Sequence, residues 1–173
     1  MVDAVDRILE QWRAERPDIN PSPMGVIGRI SRAAQFLNTE LRGPFAAHGM
    51  QRWEFDILAT LRRSGAPYRL SAGALVEASM VTSGAITNRI DRLAAKGWVS
   101  REVDPDNRRS VRITLTDEGK RIVDDTLADH VANENRILAE LTPDEQAQLA
   151  ALLRKLLISL DDRPAAALRP QGR

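Results

Sequence analysis

Between Ser71 and Thr116 the chain fits two helix-length segments, a glycine stop and two short β runs into one compact stretch. No other part of the sequence constrains the fold as strongly. Ser71 can cap a helix at about 72–78, and Thr82 or Ser83 a second at about 83–96. At about 100° per residue, Ile86, Ile90 and Leu93 line one stripe of that second helix, and Gly97 closes it. Two short helices joined by a tight turn are a helix-turn-helix signal. Trp98–Val103 and Val111–Leu115 then read as strands, with turn chemistry supplied by Asp104-Pro105-Asp106-Asn107. A strand, a polar basic tip and a second strand, placed directly after a helix-turn-helix, make a wing.

The flanks are helical. Val5, Ile8, Leu9 and Trp12 recur at helical spacing within 3–15. A stiff connector, Pro17 to Pro23, follows. A long helix then carries Ile27, Ile30, Ala34, Leu37 and Leu41, and Gly43-Pro44 disturbs its end. Residues 51–64 are apolar on more than one side (Trp53, Phe55, Ile57, Leu58, Leu61), which predicts a buried helix. Thr116 caps another long helix, with Asp117 and Glu118 in its first turn. Thr142-Pro143-Asp144-Glu145 is a capping box that opens a leucine-rich helix from Leu149 to Leu160. The expected fold is mainly α with a small β-hairpin wing. N-terminal helices occupy 1–49, a winged helix-turn-helix domain 50–116, C-terminal dimerisation helices 117–161 and a disordered tail 162–173. The outer apolar faces are longer than a small winged domain can cover. A homodimer with interleaved helices would cover them; a monomeric bundle is the alternative.

Composition narrows the chemistry. With no cysteine there are no disulfides, cysteine–zinc sites or thiol catalysis. Only His48 and His130 are available for imidazole chemistry. There is no phosphate-binding glycine loop, nucleophile elbow or zinc signature. His130 and Glu134 are spaced i, i+4, which reads as solvated surface or interface. Neither an enzyme, a cofactor nor a metal is expected. The mixed acidic start is unlike a signal peptide, and no apolar run approaches about 18 residues. A cytoplasmic protein without a membrane segment is the expectation. Although the net charge is +1, residues 50–116 carry +4 and residues 117–162 carry −6. A basic middle beside an acidic body suggests a nucleic-acid face.

The face can be assigned by residue. Ser83, Thr87 and Asn88 are candidates to meet base edges in the major groove. Arg92 is a phosphate candidate, with Lys96, Arg62 and Arg63 in the same role. The wing tip carries Arg108, Arg109 and Arg112 in a short hairpin, where arginine can read a narrow minor groove.

The stretches Met80-Val81-Thr82-Ser83-Gly84, Asn88 to Leu93, Gly97 to Arg101, Asp104 to Arg109 and Leu115-Thr116-Asp117-Glu118-Gly119 together resemble the MarR family of bacterial transcriptional regulators. The resemblance implies a homodimer on double-stranded DNA, binding a pseudo-palindromic operator with half-sites about 10 bp apart. The family wing usually has an Asp two residues before its tip Arg. Here those positions hold Asn107 and Arg109, a departure that weakens ionic bracing of the tip.

Asp56 sits on a helix with little polar surface and needs a cation or donors if buried. Arg89, by helical angle, and Arg101, by strand parity with Val99 and Val103, are both placed to reach inward. With Trp12 on an extra N-terminal helix, these residues resemble a urate-responsive subgroup whose relatives respond to citrate or aconitate. The resemblance implies a repressor released when a small anionic effector binds near Trp12 and competes with Asp56 for an arginine. Three alternatives remain open from the residues. The Asp–Arg set is a structural ion pair, with Trp12 a staple for the first helix. The protein binds DNA constitutively. Or it is a helical adaptor whose winged domain binds protein.

Overall fold

The computed structural model describes residues 2–78, 86–105 and 107–162. The chain divides into two compact units, Met1–Arg42 and Gly43–Arg173.

The first unit is a helical pair, α1 (Ala4–Glu15) and α2 (Ser22–Glu40). Asp3 caps α1, accepting from the backbone N–H of Val5 and Asp6, while Asp6 accepts from the Asp3 N–H. Arg29 of α2 donates to Asp3 at 2.8 Å and to Asp6 at 2.6 Å. Backbone donors first, and then this guanidinium, hold both carboxyls below their ordinary range. Val5 and Leu9 are buried and lie against Gly28 and Gly25, and a Cβ at Gly25 would come within 3.2 Å of Leu9. Ile8 and Trp12 complete the spacing but stay exposed.

The second unit begins with α3 (Arg42–Ala47) and α4 (Arg52–Arg63), then β1 (Arg69–Ser71), α5 (Ala72–Ala78) and α6 (Ile86–Ala95). It continues with β2 (Val99–Asp104), β3 (Asn107–Leu115), α7 (Asp117–Ile137) and α8 (Pro143–Ser159). Ile57, Leu58 and Leu61 of α4 are fully buried, as are Leu75 of α5, Leu93 of α6, Ile113 of β3 and Val123 of α7. This is one core with α4 through it. The fold is mainly helical with a winged helix-turn-helix, as the sequence predicts.

Two elements were not legible. The three strands form one antiparallel sheet in the order β1-β3-β2, so the wing hairpin gains a third strand. β1 has only three residues, too short to show alternation, and Leu70 joins the core through its pairing with Ile113. The Gly43-Pro44 stretch also lies within a helix, α3, because proline is tolerated in a first helical turn. Strand β3 starts at Asn107, earlier than its apolar residues suggest, because the ladder with β2 runs out to Asp104.

The caps behave as their chemistry requires. The Ser71 hydroxyl accepts from the Ala74 N–H. Thr142 and Glu145 cap α8 reciprocally. Thr116 accepts from Gly119 N at 3.0 Å and donates to the Gly97 carbonyl at 2.7 Å, so one hydroxyl joins the end of α6 to the start of α7. Gly97 has φ +73°, a left-handed conformation suited to glycine. Gly119 is required for a different reason: a Cβ there would overlap the Trp98 backbone carbonyl.

The outer helices leave apolar side chains in water. No residue of α8 is buried; Leu152, Leu157 and Ile158 are among the exposed ones. Met24, Val26, Ile27 and Phe36 of α2 are exposed too. No described helix is long and apolar enough to cross a membrane.

Gly119→Ala is expected to destabilise the fold by at least about 2 kcal/mol, since backbone on both sides must move. Thr116→Ala should cost about 1 kcal/mol. Urea unfolding of the two variants against wild type measures both, and a smaller loss for Gly119→Ala than for Thr116→Ala would contradict the packing described.

Candidate nucleic-acid interface

Helix α6 is sharply two-sided. Ile86, Ile90 and Leu93 are buried, whereas Thr87, Asn88, Asp91 and Arg92 are exposed. The exposed side is polar and short in reach, the texture of a helix that approaches base edges. Thr87, Asn88 and Arg92 therefore lie together on one wet face. Ser83 lies outside the described residues, as do the side chains of Arg108 and Arg109, whose backbone runs in β3.

Helix α6 is held laterally by the first turn of α4. The Trp53 ring lies 5.4 Å from the Arg89 guanidinium and 5.1 Å from that of Arg92. Its indole N–H donates to Gln51. Next to it, Glu54 is 1% exposed, accepts from the Gln51 backbone N–H and lies 2.7 Å from Lys96 Nζ. That approach misses hydrogen-bond angles, so the contact is Coulombic. Lys96 also sits 4.2 Å above the Trp98 ring.

Several residues differ from their sequence assignment. Glu54, not Asp56, is the fully buried carboxylate of α4. From the first turn of α4 it caps the Gln51 N–H. The signal for it was its position three residues after Gln51 at a helix start. Asp56 is half-buried, and among the described residues it forms no ion pair. Burial raises its carboxyl above the ordinary value of 3.8, opposed by the charges of Arg52, Arg63, His130 and Arg89 in decreasing order.

Arg101 does not turn inward. It is exposed and ion-paired with Asp91 of α6. Strand parity fails because, of the two valines of β2, only Val99 is buried; Val103 is 61% exposed, with the hairpin projecting into solvent. Arg112 is not at the wing tip. It stands mid-strand opposite Glu102 and Ser71 and pairs with buried Asp104 at 2.7 Å. An ionic brace of the hairpin is thus present at Asp104–Arg112, although Asn107 lacks the charge. Arg62 pairs with Asp124 at 2.8 Å, and Arg63 donates to the Ala78 carbonyl, so neither is a free phosphate ligand. His130 is not a solvated surface residue: its ring packs 4.9 Å from Phe45 and 5.2 Å from Phe55.

A cleft of about 520 Å³ lies between α4 and α7, lined by Phe55, Ala59, Arg62, Arg63, Leu127 and His130 among others. In the first unit, Trp12 lines a smaller apolar hollow of about 160 Å³ with Arg16, Ile19, Pro21 and Met24.

Helix pair, three-stranded wing and flanking helices define a winged helix-turn-helix protein. Residues 48–110 match the model of the MarR family. The chain is 44% identical over 149 residues to the HTH-type transcriptional regulator PecS of Dickeya dadantii (strain 3937), covering 86% of this chain and 90% of that one. It is similar to the crystal structure of Sco3205, a MarR family transcriptional regulator from Streptomyces coelicolor in complex with DNA. The TM-score is 0.73 at 26% identity, over 84% of this chain and 97% of that one. It is also similar to Bordetella bronchiseptica BpsR, whose DNA binding is regulated by 6-hydroxynicotinic acid, with a TM-score of 0.67 at 25% identity over 76% and 91% of the two chains. The chain belongs to the MarR family, a family of transcriptional regulators and not of enzymes.

Lys96→Met is expected to cost about 2 kcal/mol, because it leaves Glu54 charged and buried without its cation. Lys96→Met with Glu54→Gln should recover most of that loss. Denaturant titration of both measures it; equal losses would show that Glu54 does not depend on Lys96.

Proposed function

We propose that this protein regulates transcription by binding a pseudo-palindromic DNA operator as a homodimer, and that a small anionic effector releases it. The observation that carries the DNA reading is the two-sidedness of α6: a buried Ile86–Ile90–Leu93 stripe behind an exposed Thr87–Asn88–Arg92 face. On this reading Ser83, Thr87 and Asn88 meet base edges and Arg92 meets phosphate. Arg108 and Arg109 enter the minor groove from the wing, and Arg112 braces the wing from behind. Sco3205, a relative of the same fold, was crystallised with DNA. The exposed apolar faces of α2 and α8 support the homodimer, since a second copy would remove them from water.

The effector reading rests on Asp56 and Arg89. A half-buried carboxylate with a raised pKa and no ion pair among the described residues is a poor structural element and a good exchange partner. An anion of the urate, citrate or aconitate class would take its place beside Arg89, which lies on α6 itself, and would compete with DNA phosphate for that guanidinium. Arg101 acts one step away, through Asp91 of the same helix. BpsR responds to an aromatic acid, which favours an anionic ligand here. Release requires only that the ligand bind the DNA-incompetent arrangement more tightly.

Titration of a DNA fragment from upstream of the protein's own gene, across a salt series, tests the first part. Affinity should fall steeply, by about 0.9 log units per log unit of salt for each phosphate engaged. Binding independent of both salt and sequence would favour the protein-binding adaptor instead. Urate, citrate and aconitate are then added in turn. One of them should weaken the complex, and the Asp56→Asn and Arg89→Ala variants should lose that response; a response kept in both variants places the effector elsewhere.

The raised pKa of Asp56 gives a separate prediction. Its ionised form is disfavoured by the fold, so the cost is fully present above the raised pKa and disappears as the pH falls below 3.8. Asp56→Asn should therefore raise the melting temperature at pH 7, and the gain should shrink in acid. Thermal melts between neutral and acid pH read this directly.

A further inference from the structure

We infer that Trp53 is a positioning residue for DNA binding: its indole holds the guanidinium groups of Arg89 and Arg92 toward phosphate without neutralising them. The inference rests on the DNA-binding reading above and extends it to a residue outside the helix-turn-helix and the wing.

Several other basic side chains of this unit are engaged. Arg62 pairs with Asp124, Arg101 with Asp91, Arg112 with Asp104 and Lys96 with Glu54. Arg63 donates to a backbone carbonyl. Each such interaction uses N–H donors, and most cancel charge. Arg89 and Arg92 are held differently. Both lie near the Trp53 ring, at 5.4 and 5.1 Å, and among the described residues neither forms an ion pair.

The chemistry of the stacking explains its use. A cation beside an aromatic ring is attracted by the ring's quadrupole. The ring carries no net charge, and a stacked guanidinium keeps its N–H groups free in its own plane. An acidic residue at position 53 would fix the same arginines but consume the donors and charge that phosphate needs. Trp53 is itself fixed through its indole N–H to Gln51, on the turn where Glu54 binds Lys96. Arg89, Arg92 and Lys96 follow one another along one side of α6, so a single turn of α4 grips three cations and leaves two of them available.

The test compares wild type, Trp53→Leu and Trp53→Phe on two duplexes, one of random sequence and one selected by the wild-type protein from a random pool. Binding is measured between about 50 and 200 mM salt. Trp53→Leu should weaken both complexes by about tenfold, and the salt slope should drop by about 0.9 for each phosphate that is no longer engaged. Trp53→Phe, which keeps an aromatic face, should stay close to wild type. In an Arg89→Ala/Arg92→Ala background Trp53→Leu should have no further effect. Arg92→Lys, which keeps the charge but not the flat stacking group, should weaken binding severalfold; this arm stands if Trp53→Leu fails to fold. Equal losses for Leu and Phe, the same loss in the double-alanine background, or full affinity in Arg92→Lys would overturn the proposal. A wild-type protein that binds neither duplex overturns the DNA reading, and this inference with it.

Discussion

Everything that faces outward on this fold depends on how α6 is gripped from behind. Ile86, Ile90 and Leu93 bury its back in the α4-centred core. The first turn of α4 then holds its flank, through Trp53 near Arg89 and Arg92 and through Glu54 on Lys96. The apolar stripe sets which face is wet, and the flank interactions limit rotation about the helix axis. A helix meant to place short polar side chains within reach of base edges needs both, because a displacement of about 1 Å is enough to break such hydrogen bonds.

The wing is tied to the same helix by separate means. The Arg101–Asp91 ion pair links β2 to α6. The Thr116 hydroxyl links the end of α6 to the start of α7. The close approach of Gly119 to the Trp98 carbonyl then leaves little freedom where the hairpin leaves the core. Helix α6, the wing and α7 are therefore mechanically continuous within this unit.

Much of this was legible locally. Caps announce themselves by residue type, so Ser71, Thr116 and Thr142 each mark a helix start where one is found. Stripes at helical spacing located α1, α4 and α6. Side chains decided by tertiary surroundings were less legible. Asp56 and Glu54 differ by two positions on one helix, and only the packing around α4 leaves Glu54 fully buried and Asp56 half-buried. Strand parity assigned Arg101 inward because alternation presumes a core beneath the whole strand, and this hairpin has one only at its base. β1 was missed because three residues carry no period; its partner strand makes it a strand.

Taken by itself, the sequence determined the order of the longer helices, the two-sided character of α6 and the presence of a wing, and its motifs carried the resemblance to a regulator family. The first three follow from periodicity, capping and turn chemistry, which act over a few residues. Only the tertiary structure decided which charges meet. Arg101 goes to Asp91, Arg112 to Asp104 and Lys96 to Glu54, while Arg89 and Arg92 settle near Trp53. Long, flexible cationic side chains have several partners within reach, and their choice depends on backbone positions distant in sequence.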